Sequence, residues 1–243
     1  LSAAASLRDG ELKYAPTDGL PALKKAILRY TEDAYNKIVA PENVIVCAGA
    51  KQALYTLLYT LLNPQDEVII LAPYWVSYPE MVRMVYGVPV IVKPEDPHFV
   101  PRLSEIERAV SGYTKAVILN SPNNPSGVLY PAGFVAELAA FCERKGLYLI
   151  CDDIYHKLVF DGERAPSIYD YASRDVDNSR VITLNGVSKL YGLTGVRVGW
   201  VVAPRPIVEV MTNVQAQTAT CVSVVQQAAA EGALPGLQSA VES

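Results

Sequence analysis

Lys189 lies in "LNGVSKLYGLTGVRVGW", residues 184–200, a stretch otherwise apolar or small, and Arg197 follows it by eight residues. A lysine normally ends in water; if this one is held in the interior between two apolar runs, lost hydration favours the neutral, nucleophilic amine. Arg197, beyond a turn holding Gly192, Thr194 and Gly195, offers a planar fork that can grip a phosphate through two hydrogen bonds. Asp152 in "CDDIYHKLVFDG" could keep a partner group cationic. Tyr155, three residues further on and expected on the same helical face, could add a hydroxyl. Asn124 in "NSPNNPSG" carries an amide that could donate to an oxygen on a ring, and Trp75 in "APYWVSYPE" could wall a planar ring. Gly49, Ala50 and Lys51 in "CAGAKQAL" stand where a strand turns into a helix, so backbone N–H groups there could cradle a phosphate.

Each residue also has an ordinary structural role. Trp75 could be a core aromatic, and Asn124 could simply form its Pro- and Gly-rich turn. Asp152 could be a solvated strand end, with Asp153 capping the next helix. The 49–51 turn matches neither GxxxxGK[ST] nor GxGxxG, so it names no nucleotide by itself.

The elements that must position these groups are legible as seven β-rich runs: 43–48, 67–72, 88–92, 115–120, 147–152, 180–185 and 196–202. Most are continuously apolar, as strands covered on both faces should be. Helical patterns lie between them: 20–37 with Pro21 in its first turn, 50–62 with leucines at helical spacing, and 131–146 ending at Gly146. Strands alternating with helices predict an α/β fold, three-layered, with a mostly parallel seven-stranded sheet and helices on both faces. In such sheets ligands bind beyond the carboxyl ends of strands, and the residues singled out above, Arg197 apart, stand at or after the ends of the strands read at 43–48, 67–72, 115–120, 147–152 and 180–185.

Composition narrows the classes. Of 243 residues, 51% are hydrophobic and 19% charged, with a net charge of −4, so neither disorder nor a nucleic-acid-binding surface is expected. The longest apolar candidate, 53–62, is too short and too interrupted to span a membrane. Cys47, Cys142, Cys151 and Cys221 form no CxxC, and His98 and His156 stand apart from them, so reduced cysteines and no metal site are expected. The chain starts at Leu1 and ends in "LQSAVES" with no helix stop signal, which reads as cut at both ends.

A nucleophilic amine, a carboxylate for a cation, a phenol and an amide for a ring oxygen, a flat wall and a phosphate cradle together describe pyridoxal 5'-phosphate. The chain resembles the class I and II aminotransferases of the fold-type I pyridoxal-phosphate superfamily. "NGVSKLYGLTGVRVG" is similar to their lysine signature, "NSPNNPSG" to N-P-x-N-P-[TS]-G, and "CDDIYHKLVFDG" to a D-E-I-Y-E block. "APYWVSYPEMV" is similar to the tryptophan block of the bacterial aspartate or prephenate branch, and "KYAPTDGLPALKKAI" to the segment before the first large-domain helix. The resemblance implies an aspartate aminotransferase-like transaminase that moves an amino group from an L-amino acid to a 2-oxo acid through a lysine Schiff base. It implies that Lys189 anchors the cofactor and shuttles the proton, Asp152 keeps the pyridine nitrogen protonated, Tyr155 and Asn124 bind the ring oxygen, and Trp75 stacks on the ring. Gly49, Ala50, Lys51 and Arg197 would hold the phosphate, with Tyr14 lent to the neighbouring subunit's phosphate, so a cytoplasmic homodimer with shared active sites is implied. Residues 1–243 would be the pyridoxal-phosphate-binding large domain, and the smaller domain of family members, whose arginine grips the substrate carboxylate, has no match. Gly186 stands where many relatives carry a phosphate-binding serine. A non-catalytic binding or regulatory module on this fold, and a lyase, are the competing readings.

Overall fold

A computed structural model describes residues 2–10, 12–160, 164–172 and 175–235. The strands are β1 (Val44–Cys47), β2 (Glu67–Leu71), β3 (Val88–Val92), β4 (Thr114–Asn120), β5 (Tyr148–Asp152), β6 (Val181–Gly186) and β7 (Gly199–Val202). The helices are α1 (Ser2–Asp9), α2 (Pro21–Tyr35), α3 (Ala50–Leu61), α4 (Ser77–Met84), α5 (Leu103–Ala109), α6 (Ala132–Lys145), α7 (Arg205–Thr218) and α8 (Val224–Ala233). Every expected strand is present. Helices α1, α4, α5, α7 and α8 were not legible as patterns, and the "LQSAVES" end lies outside the described residues.

The strands form a seven-stranded sheet in the order β1-β7-β6-β5-β4-β2-β3. β2 pairs parallel with β3 and β4, and β4 pairs parallel with β5, whereas β1 pairs antiparallel with β7. The fold is thus α/β with a mostly parallel sheet, as the strand–helix alternation predicts. Continuous apolar runs became fully buried strands at β1 and β4–β7 positions such as Val44, Ile45, Leu149 and Ile182, each 0% exposed. Burying each such side chain stabilises by about 1.5–3 kcal/mol. β3 differs: it is an edge strand, and four of its five residues are only half-buried.

The chain divides into two compact units, one of residues 1–56 with 184–243 and one of residues 57–183. In the first, α2 begins with Pro21, where the missing N–H costs nothing, and buries Leu23, Ile27 and Tyr30. The Leu20 N–H at its start donates to Gln227 Oε1 at 2.7 Å, replacing a side-chain cap. In the second, α6 ends at Gly146, whose φ of 69° is left-handed, and the Leu147 N–H donates to the Cys142 carbonyl. That closes the helix as its terminal glycine predicts. Among the described residues, no helix is long and apolar enough to cross a membrane.

Candidate active site

The ring-facing candidates belong to the second unit. Asp152 ends β5 and is buried. The Tyr78 hydroxyl donates to its Oδ2 at 2.7 Å, and the Ile154 N–H donates to its Oδ1 at 3.3 Å. Burial pushes the carboxyl above its ordinary range, and the two hydrogen bonds pull it partly back. Trp75, in the turn after β2, is half-buried and meets Tyr78 edge-on, with ring centroids 5.4 Å apart. The Asn124 side-chain amide lies 3.4 Å from the Tyr155 hydroxyl, so these two side chains meet.

The loop that presents Asn124 is held by its own polar residues. The Asn123 N–H donates to the Val128 carbonyl, the Gly127 N–H to the Asn123 carbonyl, and Ser126 Oγ to Asn123 Oδ1 at 2.7 Å. Asn120, at the end of β4, ties this loop to β5. Its Oδ1 accepts from the Asn124 N–H and its Nδ2 donates to the Asp152 carbonyl, both at 2.8 Å.

The helical setting expected for Tyr155 is not found. Residues 154–157 form turns, with the His156 N–H on the Asp153 carbonyl and the Leu158 N–H on the Tyr155 carbonyl. Asp153 therefore caps no helix. Tyr155 reaches Asn124 by this turn geometry and not by helical spacing.

The amine and phosphate candidates belong to the first unit. β1 ends at Cys47, and Gly49, with φ of 88°, turns the chain into α3 at Ala50. A Cβ at Gly49 would lie 2.3 Å from Arg197 Nη2, so only glycine allows this approach. Arg197 itself is left-handed, with φ of 55°, and donates to the carbonyls of Thr194 (3.2 Å) and Ala48 (3.4 Å). A non-glycine residue held there is strained, a frequent mark of a functional position. Gly199, the first residue of β7, is equally constrained: a Cβ there would lie 2.5 Å from the Ala50 nitrogen. Lys51, on the first turn of α3, is exposed, and so is Tyr14, at 86%.

Lys189 is not held in the interior. Gly186, Val187 and Ser188 before it are buried, but Lys189 itself is exposed, on a turn closed by Gly192 N–H on the Lys189 carbonyl. The flanking apolar runs are buried as strands, while the turn between them carries the lysine to the surface.

The sequence reading missed Tyr78, Asn120 and Gly199. A signal for Asn120 existed: it is a polar residue closing the apolar run "KAVIL". Tyr78 looked like one aromatic among several.

The mostly parallel, seven-stranded α/β sheet is the fold expected of the pyridoxal-phosphate-dependent transferases. The chain belongs to the family aminotransferase class I and II, whose sequence model matches residues 2–242. It is 40% identical over 238 residues to the aspartate aminotransferase of Geobacillus stearothermophilus, covering 98% of this chain and 60% of that protein. It is 39% identical over 238 residues to the probable aspartate/prephenate aminotransferase of Thermus aquaticus, covering 97% and 60%. Among solved structures, the aspartate aminotransferase of Rhizobium meliloti superposes with a TM-score of 0.94 at 35% identity, covering 99% of this chain and 60% of that one. The chain thus spans about 60% of the length of the curated relatives it matches.

Proposed function

We propose that this chain is the pyridoxal-phosphate-binding large domain of an aminotransferase that moves the amino group of an L-amino acid, aspartate first among candidates, to a 2-oxo acid. The observation that carries this reading is Asp152. It is a buried carboxylate held by two neutral donors, and burial works against its charge. A protonated pyridine nitrogen is a partner that would make that charge favourable. The glycine turn suits a phosphate as well: the missing Cβ at Gly49 lets the Arg197 guanidinium lie against the residue that leads into α3.

When bound, pyridoxal phosphate supplies an aldehyde that condenses with an amine and a cationic ring that draws electrons from the substrate's Cα. Lys189 would supply the amine that anchors the group and the base that moves a proton at the substrate's Cα. Its exposure leaves the amine accessible to both partners. Asp152 holds the ring nitrogen protonated. Asn124 and Tyr155 orient the ring oxygen, Trp75 covers the ring's face, and Gly49, Ala50, Lys51 and Arg197 hold the phosphate. The exposed Tyr14 suits the role of reaching a neighbouring subunit's phosphate, and so a homodimer with shared sites, working in the cytoplasm. The likeness to proteins named aspartate and aspartate/prephenate aminotransferases supports the choice of donor.

The test is to add pyridoxal phosphate to the purified chain, record its absorption, reduce with borohydride and map the labelled peptide. A label on Lys189, followed by consumption of 2-oxoglutarate when aspartate is supplied, is expected. A label on Lys189 with amino-acid loss but no 2-oxo acid consumed would indicate a lyase. A folded chain that takes no label would overturn the reading.

A further inference from the structure

Ala48 is the residue through which β1 reaches Gly49. Its peptide N–H donates to Gln52 Oε1 at 2.8 Å, and its carbonyl accepts from Arg197. Gln52, on the first turn of α3, donates through Nε2 to Thr56 Oγ1 at 3.0 Å and to Gln215 Oε1 at 3.3 Å. Gln215, on α7, is 0% exposed. Its Nε2 donates to the carbonyls of Thr17 (2.6 Å) and Val46 (2.8 Å).

Each amide nitrogen in this relay uses both protons, and each amide oxygen meets a donor. Turning over either amide would set donor against donor at Ala48, or oxygen against carbonyl at Thr17 and Val46. The relay therefore has one orientation, which runs from the β1 backbone through Gln215 and Gln52 to the turn at Ala48. A buried amide that served only to fill space would be better replaced by an apolar side chain, because burying it is costly unless its hydrogen bonds are made. Here they are made, and one of them fixes the Ala48 N–H, whose residue also accepts from Arg197 through its carbonyl.

We propose that Gln52 and Gln215 are positioning residues for the cofactor's phosphate. This rests on the pyridoxal-phosphate reading above and deepens it. Gln52 turns the Ala48 N–H inward and so sets the direction of the Gly49–Lys51 backbone, where the first N–H groups of α3 would face an anion. Gln215 does not reach that turn. It acts through Gln52, by fixing which way the Gln52 amide points.

The test compares pyridoxal 5'-phosphate with pyridoxal, which shares the ring and aldehyde but lacks the phosphate. Dissociation constants for both are measured by absorption on the wild-type chain, on Gln52→Met, on Gln215→Met and on the double variant. In each single variant the preference for the phosphorylated ligand is expected to fall about five- to tenfold, roughly the worth of one hydrogen bond. The double variant is expected to fall no further than Gln52→Met alone, since one residue acts through the other. A merely structural role would lower the melting temperature and weaken both ligands in parallel, leaving the preference unchanged, and that result would overturn the proposal. Additive losses in the double variant would overturn the relay. If the buried Gln215→Met does not fold, the half-buried Gln52→Met decides the matter alone. A wild-type chain that binds neither ligand at Lys189 overturns the proposed function itself. A wild-type chain that binds both, with variants of unchanged preference, overturns this inference only.

Discussion

The Tyr78 hydroxyl of α4 donates a 2.7 Å hydrogen bond to Oδ2 of Asp152 at the end of β5, and both side chains are buried. Burial and the adjacent Asp152 charge hold the phenol well above its ordinary pKa, so the proton stays on Tyr78 and the bond keeps its direction. The same ring meets Trp75 edge-on. One tyrosine thus supports both the carboxylate and the proposed ring wall.

Replacing Tyr78 with phenylalanine removes one of the two bonds that lower the Asp152 pKa, so that pKa moves further up. If activity needs ionised Asp152, the acid limb of the kcat/KM profile moves to higher pH in Tyr78→Phe. A profile that keeps its acid limb would separate Tyr78 from the titration of Asp152.

Asp152→Asn should separate stability from activity. The folded pKa of Asp152 lies above its unfolded value, so as pH rises the unfolded chain loses this proton first. Stability is therefore lost as pH rises from the unfolded pKa through the folded one. Asparagine removes that cost, and the ligand-free variant should melt a few degrees higher than wild type at pH 8, on the scale of about 2–4 °C per kcal/mol for a chain of this size. Turnover should fall about 10- to 1000-fold, because a close opposite charge shifts a pKa by about one to three units. Thermal melts and a transamination assay on one preparation check both halves.

Gly49→Ala should strike the phosphate site. The left-handed φ costs a non-glycine residue about 1–2 kcal/mol. The added methyl also displaces the Arg197 guanidinium, the flexible end of its side chain. The variant should fold with a lowered melting temperature, weaken pyridoxal phosphate binding and leave pyridoxal binding nearly unchanged. Equal weakening of both ligands would show that Arg197 does not serve the phosphate.

His156 gives a pH dependence of the opposite sign to Asp152. Burial pulls its pKa down to about 4, against a bond to the Asp153 carbonyl at 2.9 Å that works the other way. The unfolded chain takes up this proton near pH 6.5 and the folded chain only near 4, so stability is lost as pH falls across that window. In His156→Gln this loss should be smaller, read as a flatter plot of melting temperature between pH 6.5 and 4. A slope equal to that of wild type would assign the acid sensitivity to other groups.

Much of this protein was determined locally. Apolar runs such as "VIVC" and "EVIIL" can satisfy their backbone and bury their side chains in a sheet and hardly otherwise, so all seven strands were legible. Pro21 and Gly146 punctuate helices by their own backbone limits, and Gly49 has the room its turn requires. The residue types proposed for chemistry stood at strand ends because an apolar run ends where polar groups begin.

The remainder depends on contacts distant in sequence. Tyr78 meets Asp152 across 74 residues, and Gln215 meets Val46 across 169. No spacing rule reaches that far, since such pairs are chosen by sheet order and helix packing. The exposure of Lys189 is of the same kind. Its neighbours' hydrophobicity predicts burial of the strands, but the path of the turn between them sets where the amine ends. Tyr155 likewise meets Asn124 through a turn, where the sequence by itself suggested a helix.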